Sequence, residues 1–141
     1  MSKNTGKSSE NLFQGHFDKL GKRATYDRLL DAADVRGATG RIGYTPSQPS
    51  DYILTIDGIT SYAEVKSTSH KTCFPFDLLR KTQSARAAII LAAGGVYDIY
   101  LHRIPTGDWY VIPYQVVQAV KDRGRSSIPW VDLIPFLQEE F

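Results

Sequence analysis

The chain has 141 residues, of which 42% are hydrophobic and 23% charged, with a formal net charge of +2. That is enough chain for one domain with a real core, and the balance is ordinary for a soluble globular protein. No apolar run approaches the roughly 18 residues that span a bilayer, no signal peptide is expected, and a lone cysteine, Cys73, excludes an internal disulfide framework and suits a reducing cytoplasm.

Residues 1–9 are small and polar and read as a flexible N-terminal arm, with residues 10–141 as a single domain. A helix is predicted from about Ser9 to Leu20, with Leu12, Phe13, Phe17 and Leu20 as its buried stripe. Glu10 falls in the first turn, where a carboxylate suits the helix dipole. From Thr25 to about Ala32 the pattern of Tyr26, Leu29 and Leu30 fits either a strand or a short helix. Residues 34–50, with Gly37, Gly40, Gly43, Pro46 and Pro49, read as a long loop, and loops of that length usually have a function or move. Arg36 and Arg41 within it are candidate phosphate contacts, although a loop arginine more often only meets water. Residues 1–50 hold eight Lys and Arg against five acids, a local basic excess that suits nucleic acid.

Tyr52–Ile56 and Ile59–Val65 are rich in β-branched and aromatic residues. Asp57-Gly58 between them signals a tight hairpin, because both positions of the turn need positive φ. Counting outwards, Ile56 faces Ile59, Thr55 faces Thr60, and Asp51 faces Glu64. Facing residues hold their Cβ atoms roughly 4.5–5.5 Å apart on one face, and strand alternation puts Lys66 on that face too. Like charges directly opposite destabilise a hairpin. The chain therefore has either a slipped register or a cation between the acids. Mg²⁺ prefers carboxylate oxygens and takes one or two from a protein. Asp51 and Glu64 would supply them, and the Val65 carbonyl is a third candidate. Lys66 would then sit beside the attacking water or the phosphate. This is phosphodiester hydrolysis in outline, although a plain hairpin with three solvated charges has the same spacing. Tyr52 and Tyr62 flank the position on opposite sheet faces, and Tyr62 reads as a packed tyrosine or a contact to base or sugar.

Ser67-Thr68-Ser69-His70-Lys71-Thr72 follows. Ser67, Thr68 and Lys71 could cradle backbone phosphates, or the segment is a plain polar turn. A helix is predicted from about Asp77 to Ala93, stopped by Gly94-Gly95. Leu78, Thr82, Ala85, Ile89, Ala92 and Ala93 share its apolar face, and Arg80, Lys81, Gln83 and Ser84 the polar one. Arg80 and Lys81 are further candidates for DNA. Val96–Arg103 and Asp108–Ile112 read as strands joined at Pro105-Thr106-Gly107, and Tyr114–Lys121 as a short helix. The amphipathic segment Pro129–Phe141, with Trp130, Leu133, Ile134, Leu137 and Phe141, reads as a cap on the core or a dimer surface. His16, His70 and His102 are too scattered for zinc. Cys73 lacks an adjacent base and reads as a small core residue.

Pro49-Ser50-Asp51 followed by Glu64-Val65-Lys66 resembles the signature of the PD-(D/E)XK nuclease superfamily, with Ser50 loosening the proline–aspartate pair. Asn4-Thr5-Gly6 with Glu10 resembles the N-terminal motif of one branch, the Holliday junction resolvases of the RecU and archaeal Hjc type. Cys73-Phe74-Pro75-Phe76, Gln83 and Gly94-Gly95 resemble the segment after the active-site strand of that branch. The resemblance covers residues 4–117. It implies an α/β restriction-endonuclease-like core, a mixed four- to five-stranded sheet flanked by helices, and a strand at Thr25–Ala32. It also implies a Mg²⁺-dependent DNA endonuclease, with Mn²⁺ as substitute. Asp51, Glu64, the Val65 carbonyl and Glu10 would hold metal or its water, and Lys66 and Gln83 would complete the catalytic set. The implied substrate is a four-way junction, nicked by a homodimer, and so short a nuclease suits a phage or mobile element. The alternatives are a VRR-NUC-like, restriction or repair nuclease on flaps or duplex, and a DNA-binding module without catalysis. The intact trio of Asp51, Glu64 and Lys66 speaks against the last.

Overall fold

A computed structural model of the chain describes residues 5–29 and 48–141. Helix α1 (Thr5–Asp18) leads through a 3-10 turn into strand β1 (Ala24–Arg28), and the hairpin of β2 (Tyr52–Ile56) and β3 (Ile59–Thr68) follows. Strand β4 (Cys73–Pro75) and helix α2 (Lys81–Ala92) form the crossover to β5 (Tyr97–Arg103), which turns back as β6 (Asp108–Pro113). Helix α3 (Tyr114–Asp122), β7 (Ser127–Pro129), a 3-10 segment at Trp130–Phe136 and β8 (Leu137–Gln138) complete the fold. Six strands form one mixed sheet in the order β1-β2-β3-β5-β6-β8, and β4 pairs with β7 in a separate ribbon. The sheet is wider than the expected four or five strands because Leu137–Gln138 adds an edge to β6.

The turn chemistry sets the register. Asp57 has φ of 49° and Gly58 of 87°, the mirror-image turn whose twist matches the flanking strands. Ile56 then pairs with Ile59, Thr55 with Thr60 and Tyr52 with Ala63, so the register is not slipped. Strand β1 adds antiparallel to β2, which resolves the strand-or-helix alternative at Thr25. β3 runs parallel to β5 in the middle of the sheet, the pairing that the α2 crossover makes possible.

Alternation along these strands gives the sheet two faces. Ala63, Val65, Tyr100 and Trp109 pack under Phe13 and Phe17 of α1. Ile99, Leu101, Tyr110 and Ile112 on the opposite face meet Ala87 and Ile90 of α2 and Val117 and Val120 of α3. Each large apolar side chain fully buried this way contributes about 1.5–3 kcal/mol. Both predicted helix stripes need correction. α1 begins at Thr5, so Thr5–Ser9 are helical rather than part of an arm, and Ser9 is buried with its Oγ 2.8 Å from His102 Nδ1. Leu12 points outward at 51% exposure. In α2 the buried residues are Gln83, Ala87 and Ile90, whereas Ile89 is exposed. The expected face assumed one helix from Asp77. The chain instead makes a 3-10 turn at Phe76–Leu78 and an extended Leu79, which changes the phase of everything after it.

The C-terminal segment caps the core as a 3-10 turn and an edge strand. Trp130 and Leu133 are buried, Ile134 faces outward, and Phe141 stacks on Trp109. Cys73 is half-buried, and His70 Nδ1 lies 3.5 Å from its Sγ, so it does have a base beside it. No helix among the described residues is long and apolar enough to cross a membrane.

Candidate active site

Asp51 precedes the first residue of β2, and Glu64, Val65 and Lys66 lie within β3, so the hairpin brings both motifs together. The two acids are joined through the backbone. The Asp51 N–H donates to Glu64 Oε1 at 3.0 Å, and the Val65 N–H donates to Asp51 Oδ2 at 2.9 Å. Glu64 Oε2 accepts from Gln83 Nε2 and ion-pairs with Lys66 Nζ at 3.2 Å. Glu64 is fully buried. Burial first, and then the Asp51 charge, push its carboxyl up to about 7, against the opposing pull of Lys66. Burial likewise raises Asp51, with Glu10 adding to the rise, while the Val65 N–H, Lys66 and Arg28 oppose it.

Several side chains hold this pair in place. Gln83 Oε1 accepts the Arg80 N–H at 2.9 Å, so the same amide pins the first turn of α2 and the Glu64 carboxylate. Arg80 and Lys81 are exposed at that end of the helix. Tyr97, on β5, donates its hydroxyl to the Pro49 carbonyl at 2.7 Å and fixes the segment that delivers Asp51. Ser50 is buried and donates to the Tyr52 carbonyl at 2.7 Å, so the residue inserted into the proline–aspartate pair is absorbed locally.

Glu10 is held by the two strands beside Asp51. Its Oε1 accepts from the Tyr52 hydroxyl at 2.9 Å and from Arg28 Nε at 3.4 Å. Among the described residues no three His, Cys, Asp or Glu side chains gather where they could share a metal. The helix aims the Glu10 carboxylate at Tyr52 and Arg28, and its charge reaches Asp51 from there. Thr68 is buried, its hydroxyl accepting the His70 N–H at 3.1 Å, while Ser67 is half-buried and Lys71 exposed. Arg36 and Arg41 lie outside the described residues. Tyr62 is half-buried and stacks on Tyr97, a packed tyrosine beside the site. Arg28 and Tyr97 have no motif to mark them, and only the β1–β2 and β3–β5 pairings bring them in.

No protein-family model and no curated protein matches the chain. Among solved structures it matches Archaeoglobus fulgidus Hjc, a Holliday junction resolvase from an archaeal hyperthermophile. The TM-score is 0.57 at 16% identity, covering 88% of this chain and 86% of that one. The chain has the fold of Hjc. The restriction-endonuclease-like core expected from the motifs is thus present, with helices on both faces of a mixed sheet.

The donor set suits a hard divalent cation. Half-buried Asp51, raised first by desolvation, and fully buried Glu64, raised by burial and the Asp51 charge, are each driven towards protonation, and a small dication relieves both effects at once. Asp51, Glu64 and the Val65 carbonyl are the residues that would hold it. Gln83→Leu is expected to weaken binding of Mg²⁺ roughly 10–100-fold, the usual cost of losing a residue that orients a metal ligand. Melting curves taken against Mg²⁺ check this, since the variant should need more metal for the same gain in stability.

Proposed function

We propose that this chain is a divalent-metal-dependent DNA endonuclease whose substrate is the four-way junction. The observation that carries the proposal is the half-buried Asp51 joined to the fully buried Glu64, with Lys66 on the Glu64 carboxylate, where β2 lies beside β3. A fold shared with a resolvase supports the choice of substrate. Mg²⁺ or Mn²⁺ bound by the two carboxylates would supply the charge that polarises a phosphodiester and acidifies water.

The residues of the chain divide the remaining work. Glu64 is held on both oxygens, by the Asp51 N–H on one and by Gln83 and Lys66 on the other, so its orientation is fixed before substrate arrives. An amine paired with a carboxylate acts as a donor rather than a base, so Lys66 stabilises negative charge on the phosphoryl oxygens and orients the water. The first turn of α2, tied to Glu64 by Gln83, contributes its helix dipole together with Arg80 and Lys81 to binding of the strand. Lys71 extends the same basic edge. A junction has two strands to cut, so the active species is a two-fold dimer.

The substrate is tested by comparing four-way junctions, flaps and linear duplex under identical Mg²⁺. Symmetric nicking of the junction alone supports the proposal. Equal cutting of all three makes the chain a general repair or restriction-like nuclease, and binding without cutting makes it a DNA-binding module.

A further inference from the structure

Arg103 ends β5 and stands opposite Thr68 in the β3–β5 register, on the sheet face that carries Glu64 and Lys66. Parallel-strand spacing sets its Cα on the order of 8 Å from that of Lys66. Its guanidinium carbon lies over the Trp130 ring, 4.7 Å from the centroid. That platform is built. Trp130 is 6% exposed, stacks on Tyr110, and donates its indole N–H to the His70 carbonyl at 3.1 Å. The surface under Arg103 is therefore tied to the polar segment that leaves the catalytic strand.

The arginine itself is not satisfied. Its Nε is buried with no hydrogen-bond partner among the described residues. Asp108 is its cross-strand neighbour on β6, yet no ion pair joins the two. A buried donor without an acceptor is costly, and a methionine would cover Trp130 without that cost. What a methionine would lack is a planar cation with five donors, the group that takes a phosphate in bidentate fashion while stacked on an aromatic ring.

We propose that Arg103 binds a phosphate of the cleaved strand adjacent to the scissile one, on the Thr68 side of Lys66. The proposal rests on the nuclease reading above and adds a contact to it. Lys66 serves the reacting phosphate. Arg103, seated over Trp130 and short of partners, fixes the neighbouring phosphate and so the register of the strand across the carboxylates that would hold the metal.

The test uses the full chain with Glu64→Gln, which keeps DNA intact, and a synthetic four-way junction titrated over a range of salt. Adding Arg103→Met should weaken binding roughly tenfold at low salt and flatten the slope of log K against log salt by about 0.9, one phosphate contact. Its melting temperature should stay level or rise, because a buried unpaired donor has gone. Arg103→Lys should recover the slope but only part of the affinity, since an ammonium cannot replace the planar fork. In the active chain, Arg103→Met should raise KM more than it lowers kcat. An unchanged salt slope with a lower melting temperature would overturn the proposal and leave Arg103 as packing on Trp130. Failure of the Glu64→Gln parent to bind DNA at all would instead overturn the nuclease reading, and this contact with it.

Discussion

If the chain is the metal-dependent nuclease proposed above, Glu64→Gln lowers DNA cleavage by roughly 10³-fold or more, because it removes one of the two carboxylates that would hold the metal against the reacting phosphate. The same substitution has a consequence that needs no substrate. Glu64 is fully buried, and its carboxyl stands at about 7 rather than 4.5, through burial first and the Asp51 charge second. The fold without metal thus favours the protonated acid. A carboxyl raised in this way stabilises the fold fully below its unfolded value and loses that contribution as pH rises through about 7. The loss is on the order of 3 kcal/mol between pH 5 and pH 8. Metal-free protein should therefore melt at lower temperature at pH 8 than at pH 5, and Mg²⁺ should restore more stability at pH 8, where the site is charged. In Glu64→Gln most of this pH dependence should vanish. Its stability at pH 5 should also fall by about 1–3 kcal/mol, since an amide N–H₂ now faces the Gln83 and Lys66 donors. Melting curves against pH, with and without Mg²⁺, measure each of these effects. A wild-type chain that becomes more stable from pH 5 to pH 8 without metal would contradict this electrostatic picture.

Lys66→Met should lower the single-turnover rate of cleavage roughly 10²–10³-fold while leaving DNA affinity within a few-fold. Its Nζ lies 3.2 Å from Glu64 Oε2 and pairs with that carboxylate. Removing it takes away the attraction that opposes the upward push on Glu64, so the carboxyl rises further. The acid limb of the pH–rate profile should move to higher pH, and more Mg²⁺ should be needed at a given pH. Lys66→Arg restores the charge but not the compact donor, and should recover the pH limb better than the rate. A variant that loses binding and rate together, with an unmoved pH limb, would assign Lys66 to DNA affinity alone.

Local turn chemistry made the hairpin legible. Asp57-Gly58 admits one tight turn, that turn fixes the register, and the register delivers Asp51 beside Glu64 with Lys66 on the same face. The parts that were not legible depend on phase and on distant pairing. The buried face of α2 escapes hydrophobic periodicity because an exposed Ile89 and a buried Gln83 invert the usual rule. Gln83 is inside because Glu64 and the Arg80 N–H both need it, a polar reason that hydrophobic periodicity cannot register. Glu10 stands close enough to Asp51 for its charge to act there. Its partners Tyr52 and Arg28 become visible only when β1 is placed against β2. Tyr97 and Arg103 belong to β5, whose parallel pairing with β3 is carried by the crossover and by no local motif.

The most direct measurement is single-turnover cleavage of an end-labelled four-way junction by the purified chain, in Mg²⁺ and in EDTA, with Asp51→Asn alongside. Nicking that requires Mg²⁺ and disappears in Asp51→Asn is the predicted result. Cleavage that persists in EDTA, or at the same rate in Asp51→Asn, would place the chemistry elsewhere and contradict the account.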